Sequence, residues 1–345
     1  MKAKWGVLGC GGIARRRTIP EGIMQARNAE LRAVTDTDPA AVREVADMTG
    51  AKACSTGAEL LADNCDIVYV ATPVHVHVEQ AVRAADSGRH VFCEKPLALD
   101  VSGAQAIADA CRSNGVKLGV GLMMRFHAQH QAALEIVKSG RLGAPVFGRA
   151  QLSCWYPPIP GAWRQDPATG GGGTLMDLGA HCLDLLEMLF GRIVRLSCSV
   201  ANLVQDYRSE DTAVVLVEFE NGARGVVDVL FNVPDASSRN RLELYGSQGC
   251  VLAEGTIGQG ESGGMCAYLE EAARGYEAQQ ARAAGQMMTI APAPVNMYRA
   301  EVEAFSQAVL DNTAPPVDGT AGVHIQKVLA ACYESARLGK SVTIA

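Results

Sequence analysis

Three side chains in the stretch GGGGTLMDLGAHCLDLLEML fall on one helical face. Asp177, His181 and Asp184 stand at i, i+4 and i+7, while Leu178, Leu185, Leu186 and Leu189 occupy other positions. Burying such polar groups unpaired is costly, so the stripe needs an explanation. Histidine carries protons near neutral pH, and a carboxylate one turn away can orient it and raise its pKa. A general acid/base unit is one reading, and a mutually satisfied core pair is another. A metal site is a third, although no further histidine stands at zinc spacing. A second candidate is Lys95 in CEKP, which follows an apolar run. An ammonium there can hydrogen-bond a substrate oxygen and stabilise developing alkoxide charge, and Pro96 fixes the turn that aims it. An ordinary surface turn has the same composition.

The chemistry that such groups assist is suggested by the N-terminus. Gly9, Gly11 and Ala14 spell G-x-G-x-x-A between an apolar run and a helical stretch. The first glycine permits a tight turn, the second lets backbone approach a pyrophosphate, and the third small residue lets helix and strand pack closely. The free N–H groups of the helix start then face the anion. Asp36 ends the second apolar run about 22 residues after Ala14, where an acid binds the adenosine ribose hydroxyls. Its other role would be a strand-end cap. A carboxylate there repels the 2′-phosphate of NADP, so NAD is the preferred cofactor. Arg15, Arg16 and Arg17 lie nearby and keep NADP possible, unless they are a solvated helix face.

The elements that must position these groups alternate. Apolar runs at Trp5–Gly9, Glu30–Asp36, Asp66–Thr72, His90–Cys93 and Lys117–Leu122 are separated by helical stretches at Ile13–Gln25, Pro39–Thr49, His77–Ala85 and Val101–Asn114. That rhythm implies a parallel sheet with right-handed crossovers. Pro20 falls in the middle of the first helical stretch. After residue 122 the rhythm changes. A helix over His127–Ser139 is followed by β-forming runs from Val146 to Leu252 with hairpin signals between them. Helices over Tyr298–Leu310 and Val323–Leu338 and a closing strand in KSVTIA complete the chain. The fold class is α/β: an N-terminal dinucleotide-binding domain, 1–122, and an α/β domain, 123–345, with an open, mostly antiparallel sheet. The glycine-rich Gly258–Gly264 and the stretch on to Pro294 read as a mobile or irregular excursion.

Composition narrows the partners. A formal net charge of −6 argues against nucleic acid, which needs a basic surface. No stretch approaches the roughly 20 apolar residues of a spanning helix. Eleven scattered cysteines without a C-x-x-C pair read as reduced thiols. The expectation is a soluble, cytoplasmic protein with no membrane, nucleic-acid or metal partner.

Together GCGGIA, AVTDTDP, ATPVHVHVEQA, HVFCEKPLA, GGGGTLMDLGAHCLDLL and YRAEVEAFSQAV…YESARLGKSVTI resemble, in order, the Gfo/Idh/MocA family of oxidoreductases, named for glucose–fructose oxidoreductase and inositol dehydrogenase. The resemblance implies a Rossmann domain holding NAD or NADP, and a second domain whose open sheet often forms an oligomer interface, here a homodimer or homotetramer. It places the family's catalytic lysine on Lys95, its acid/base histidine on His181, its helix aspartate on Asp177 and a substrate-contacting aspartate on Asp184. Gly9, Gly11, Gly12, Ile13 and Asp36 would hold the dinucleotide, with Thr72, Pro73, His75 and His77 in the loop beside it, Glu94 near the nicotinamide ribose and Lys95 also against the cofactor. In relatives the Lys95–Pro96 peptide is often cis. Arg125, Trp155, Tyr156, Trp163, Arg164 and Asp166 could contact a polyhydroxylated substrate, aromatic faces against C–H faces of a sugar ring. WYPPIPGAW reads equally as a loop pinned by its own aromatics and prolines. The function implied is hydride transfer between a nicotinamide cofactor and a hydroxyl or carbonyl of a sugar, inositol or related polyol. The alternatives are a glycosidase that uses NAD transiently, and a non-catalytic dinucleotide sensor, which would need no acid/base set.

Overall fold

The computed structural model describes residues 1–270 and 286–344. Its contacts group the chain into two compact units. The first comprises Met1–Met123, Pro160–Asp177 and Asn296–Ala330, and the second Met124–Ile159, Leu178–Val295 and Ala331–Ala345. This interleaving differs from the single boundary at 122/123 read from the sequence. Two later segments return to the first unit: Asn296–Ala330 brings Val302 and Phe305 into its core, and Pro160–Asp177 is tied to it by the bond from Lys95 Nζ to Asp177 Oδ1.

The first unit is built on six parallel strands, β1 (Ala3–Leu8), β2 (Ala29–Thr35), β3 (Lys52–Ala53), β4 (Ile67–Val70), β5 (His90–Glu94) and β6 (Leu118–Gly121), in the order β3-β2-β1-β4-β5-β6. The continuous apolar run of β4 is fully buried, as a central parallel strand requires. The order reverses between β1 and β4, which opens a crevice at the carboxyl ends of the strands where ligands bind. Crossover helices start on their own side chains. Asp38 accepts from Ala40 N ahead of Pro39–Thr49, and Asp100 from Gly103 N ahead of Val101–Ser113. The helix Ala14–Ile23 departs from α geometry. It is π-wound, and Met24 N reaches back five residues to Ile19 O. The wide turn accommodates Pro20, whose ring has no N–H and would collide with a carbonyl in an α turn. The core centres on Trp5, Tyr69, Phe92 and Phe305, which meet edge-on or tilted at 5.2–6.4 Å. Trp5 Nε1 donates to Ser306 Oγ, so the one polar atom of that indole is satisfied.

Among its described residues the second unit has nine strands: β7 (Pro145–Ser153), β8 (Ile193–Ala201), β9 (Thr212–Phe219), β10 (Arg224–Leu230), β11 (Arg241–Gly246), β12 (Gly249–Glu254), β13 (Gly264–Leu269), β14 (Met287–Thr289) and β15 (Val342–Thr343). Their order is β14-β13-β12-β11-β7-β10-β9-β8-β15. The pair β7/β10 is parallel and the others are antiparallel. The helix Ala180–Phe190 packs close over β7, where a Cβ on Gly148 would stand 3.2 Å from Leu186 and Phe190. Alternation along β9 is strict: Ala213, Val215 and Val217 are buried, whereas Val214 and Leu216 are exposed. The excursion expected up to Pro294 is corrected in part, since β13 and β14 pair there through Tyr268 and Met287; residues 271–285 of it lie outside the described residues. No helix among the described residues is long and apolar enough to cross a membrane.

Candidate active site

The crevice at the sheet reversal of the first unit is a cavity of about 830 Å³. All eleven residues that the sequence reading assigned to the cofactor line it: Gly9, Gly11, Gly12 and Ile13 at the first turn, Asp36 at the end of β2, Thr72, Pro73, His75 and His77 after β4, and Glu94 and Lys95 at the end of β5. Gly9 has φ +86°, and a Cβ there would stand 2.9 Å from the Ala71 carbonyl, so the chain cannot turn at this point with a side chain. Gly11 N donates to Asp36 Oδ2 at 3.0 Å, and Asp38 N to Asp36 Oδ1 at 3.0 Å. A glycine-rich turn bonded to a strand-end carboxylate on the wall of a cavity of this size fits a dinucleotide. Of the three neighbouring arginines, Arg15 pairs with Glu44 and Arg17 with Glu21, whereas Arg16 lines the cavity.

Lys95 stands one residue beyond β5, and its peptide with Pro96 is cis. Its Nζ donates to Asp177 Oδ1 at 2.6 Å and to the Asp177 carbonyl at 2.9 Å. Arg164 Nε approaches the same Oδ1 at 3.3 Å, while the Arg164 guanidinium stacks 4.2 Å over the Trp163 ring. The Asp177 carboxylate therefore bridges two cations, a role beyond the orienting of His181 expected from the sequence. Trp163 and Arg164, expected at the substrate, line the dinucleotide cavity. Asp166 caps the short helix Pro167–Gly170 by accepting from Ala168 N.

The remaining candidates belong to the second unit. His181 is buried on the helix Ala180–Phe190, four residues after Asp177 along the chain. Asp184 accepts from Arg125 Nε at 2.8 Å and from Nη2 at 2.5 Å, a two-pronged pair with the carboxylate fully enclosed. Burial pushes the Asp184 carboxyl above its usual range and Arg125 pulls it back. Both residues were expected to contact substrate; the structure pairs them with each other. Trp155 is exposed at an isolated bridge to Asn232. The Tyr156 ring packs on Phe231 at 4.8 Å and its carbonyl accepts from the Tyr207 hydroxyl, which favours the self-pinned loop over a sugar platform for this half of WYPPIPGAW.

His77 is wired to the loop. Its Nε2 lies 2.8 Å from the Thr72 carbonyl, and its Nδ1 lies 3.2 Å from the Pro96 carbonyl and 3.6 Å from Cys93 Sγ. Burial drives the imidazole pKa down to about 4, so the ring is neutral with one N–H. The consistent tautomer donates from Nε2 to Thr72 and accepts at Nδ1 from the Cys93 thiol, which burial keeps protonated. Thr72 Oγ1 in turn donates to Gln80. His77 thus ties the Thr72 turn to Cys93 on β5. Sequence reasoning missed Tyr69, whose hydroxyl donates to Glu94 and meets Thr18 Oγ1 at 3.1 Å. The available signal was a lone phenol inside an otherwise aliphatic, doubly buried strand.

A doubly wound parallel sheet, a glycine turn aimed at its reversal point and a strand-end acid define a nicotinamide-dinucleotide-binding class of protein. Residues 3–122 match the oxidoreductase family with an NAD-binding Rossmann fold, and residues 130–252 match the GFO/IDH/MocA C-terminal domain. The chain is 31% identical to D-xylose 1-dehydrogenase (NADP(+)) 2 of Haloferax volcanii, covering 99% of both chains. It is 26% identical to 1,5-anhydro-D-fructose reductase of Ensifer adhaerens, over 99% of this chain and 98% of that one. The aldose-aldose oxidoreductase of Caulobacter crescentus, solved with glycerol, superposes with a TM-score of 0.88 at 27% identity, covering 99% of this chain and 100% of that one. The chain belongs to the Gfo/Idh/MocA family of oxidoreductases, and it is an NAD(P)-dependent dehydrogenase.

The neutral, enclosed state of His77 has a consequence for stability. An imidazole in the unfolded chain titrates near about 6.5, whereas the folded one titrates at about 4. Between these values the unfolded chain binds a proton that the folded chain does not, so stability falls as pH falls through that window. The full cost is about 3 kcal/mol. In urea unfolding at pH 7 and pH 5, His77→Gln should lose less stability on acidification than the wild type. His130, driven down to about 3, adds its own dependence to both proteins. Equal losses in the two would remove His77 from this account.

Proposed function

We propose that the enzyme transfers hydride between a nicotinamide cofactor and a hydroxyl–carbonyl pair of a sugar or polyol. The observation that carries the reading is the Lys95 ammonium, anchored on Asp177 at the mouth of a cavity built for a dinucleotide. The relatives named above carry dehydrogenase, reductase or oxidoreductase names, all referring to sugars or sugar derivatives. The dinucleotide would be held by the Gly9–Ile13 turn, Asp36, the Thr72–His75 loop and Glu94, and it supplies the hydride chemistry when bound. Lys95 donates to the substrate oxygen and stabilises it as it gains charge. Asp177 keeps that ammonium aimed, and Arg164 shares the same carboxylate. His181 takes the hydroxyl proton in the oxidative direction. NAD is the preferred cofactor, because Asp36 presents a fixed negative charge where NADP carries its 2′-phosphate. The eleven cysteines, all free thiols, suit a reducing cytoplasm.

We also assign the open sheet face to a homo-oligomer, a dimer or tetramer. Pairing places Phe147 beside Tyr245, Tyr245 beside Cys250, Cys250 beside Tyr268 and Tyr268 beside Met287. With exposed Val214 and Leu216, this gives the face an apolar row that a second copy would cover.

Lys95→Ala and His181→Ala should each lower turnover by about 10²–10⁴-fold. Dinucleotide affinity, measured by NADH fluorescence titration, should hold nearly unchanged. Asp177→Asn should fall between, since it keeps the shape and removes the charge that anchors Lys95. Near-normal turnover in His181→Ala would place the proton carrier elsewhere. Steady-state kinetics with both cofactors should favour NAD, and Asp36→Ala should narrow the gap; a wild type faster with NADP would shift the assignment to Arg16. Light scattering at micromolar concentration should show a species of two or four chains, and a strict monomer would sink the oligomer.

A further inference from the structure

Glu94 closes β5 next to Lys95 and is one of the residues that line the dinucleotide cavity. A glutamate arm has several rotatable bonds, and a strand end by itself does not fix the plane of its carboxylate. Here that plane is fixed from inside the sheet. Tyr69, on neighbouring β4, donates its hydroxyl to Glu94 Oε1. The Tyr69 ring is fully buried, edge-on to Trp5 at 6.4 Å and tilted on Phe92 at 5.5 Å, so the hydroxyl has one position. Its oxygen also meets Thr18 Oγ1 at 3.1 Å, on the helix that follows the glycine turn. On the far side, Gly121 leaves the carboxyl room, since a Cβ there would stand 3.1 Å from Oε2.

A phenylalanine would pack equally well among Trp5, Phe92 and the aliphatic strand, and would bring no buried oxygen to satisfy. The core has no use for the Tyr69 hydroxyl, whereas the carboxyl does. We infer that Tyr69 is a positioning residue: its hydroxyl sets the plane of the Glu94 carboxylate in the dinucleotide cavity and, through Thr18, locks it to the helix after the glycine turn. The grip on the pyrophosphate end and the placement of the nicotinamide end then share one rigid frame. The charged and titratable groups facing Glu94 agree with this arrangement. Burial pushes its carboxyl up, while the Tyr69 hydroxyl, Lys95 and Arg164 draw it back. The buried Glu301 carboxyl, on the helix Met297–Leu310, is pushed well up by burial and by Glu94.

The inference rests on the reading that Glu94 and Lys95 flank the reacting end of the cofactor, so Lys95→Ala is run beside it. Tyr69→Phe keeps the ring and removes the hydroxyl. It should lower kcat about tenfold, as expected for a misplaced cofactor ring, with the NADH dissociation constant changing by less than about threefold. Glu94→Gln should cost a similar factor, and the double variant should be no slower than the slower single, because the two residues act as one unit. Gly121→Ala disturbs the same carboxyl from the other side with the phenol intact, and should lower kcat in the same manner; it keeps the test alive if Tyr69→Phe folds poorly. Losses that multiply in the double variant, or full turnover in both Tyr69→Phe and Gly121→Ala, would overturn the positioning role. Full turnover in Lys95→Ala as well would instead overturn the reading of the site itself.

Discussion

The ion pair between Lys95 and Asp177, 2.6 Å long, is the constraint on which the arrangement of the first unit turns. It fastens residue 177 to a strand that ended more than eighty residues earlier in the chain. The segment Pro160–Asp177 thereby becomes part of the dinucleotide-binding unit, and it delivers Trp163 and Arg164 to the cavity wall. A lone ammonium near a cofactor would swing on its four-carbon stem. Two acceptors on one residue, a carboxylate oxygen and a backbone carbonyl, remove that freedom before any ligand arrives. The division between the two units falls just after Asp177, so the ion pair closes the last stretch of the first unit before the chain passes into the second.

Within each unit, buried polar groups are matched in ways that leave few choices. The neutral His77 has one N–H and one acceptor, and the Thr72 carbonyl and Cys93 thiol take both. Asp184 is too enclosed to stay charged alone, and Arg125 offers it two parallel N–H bonds. Tyr69 brings a phenol into the sheet, and Thr18 and Glu94 use both of its hydrogen-bonding directions. Each match ties segments that are distant in sequence, so polar groups that would weaken a core if orphaned instead fix turns relative to one another.

Much of this was legible in the sequence, and the illegible part has physical reasons. Five of the six strands of the first unit announced themselves as apolar runs, and Gly9, Gly11 and Asp36 by spacing, because local sterics dictate those residue types; the two-residue, exposed β3 carries no apolar run and was missed. The stripe Asp177-His181-Asp184 was visible as a pattern, yet its partners were not: Arg125 lies 59 residues from Asp184, and Lys95 lies 82 residues from Asp177. Nothing local encodes such a pairing. Trp163 and Arg164 were read with Trp155 and Tyr156 because they share one proline-rich loop, whereas packing sends the two halves to different units. The strands β13 and β14 escaped notice since GMCAYL and MMT lack the strict alternation that marks a half-buried strand. Pro20 was a visible conflict whose resolution, a π-wound helix, no propensity scale foretells.

The cofactor wall shows how far one residue can serve both fold and function. Asp36 already accepts from Gly11 N and Asp38 N, and from Thr37 Oγ1 at 3.3 Å, so its carboxylate shapes the glycine turn with no ligand required. An ionised carboxylate offers about four acceptor sites, which leaves capacity for a ribose hydroxyl beside these three bonds. The Asp36 carboxylate is therefore held in place by backbone N–H groups before any ligand arrives. Arg16, on the same cavity, is the opposing influence, a flexible cation on the π-wound helix. The wall thus sets an anion held by backbone bonds beside a longer cation with more rotatable bonds, and of the two the anion has less ordering entropy left to lose when a ligand arrives.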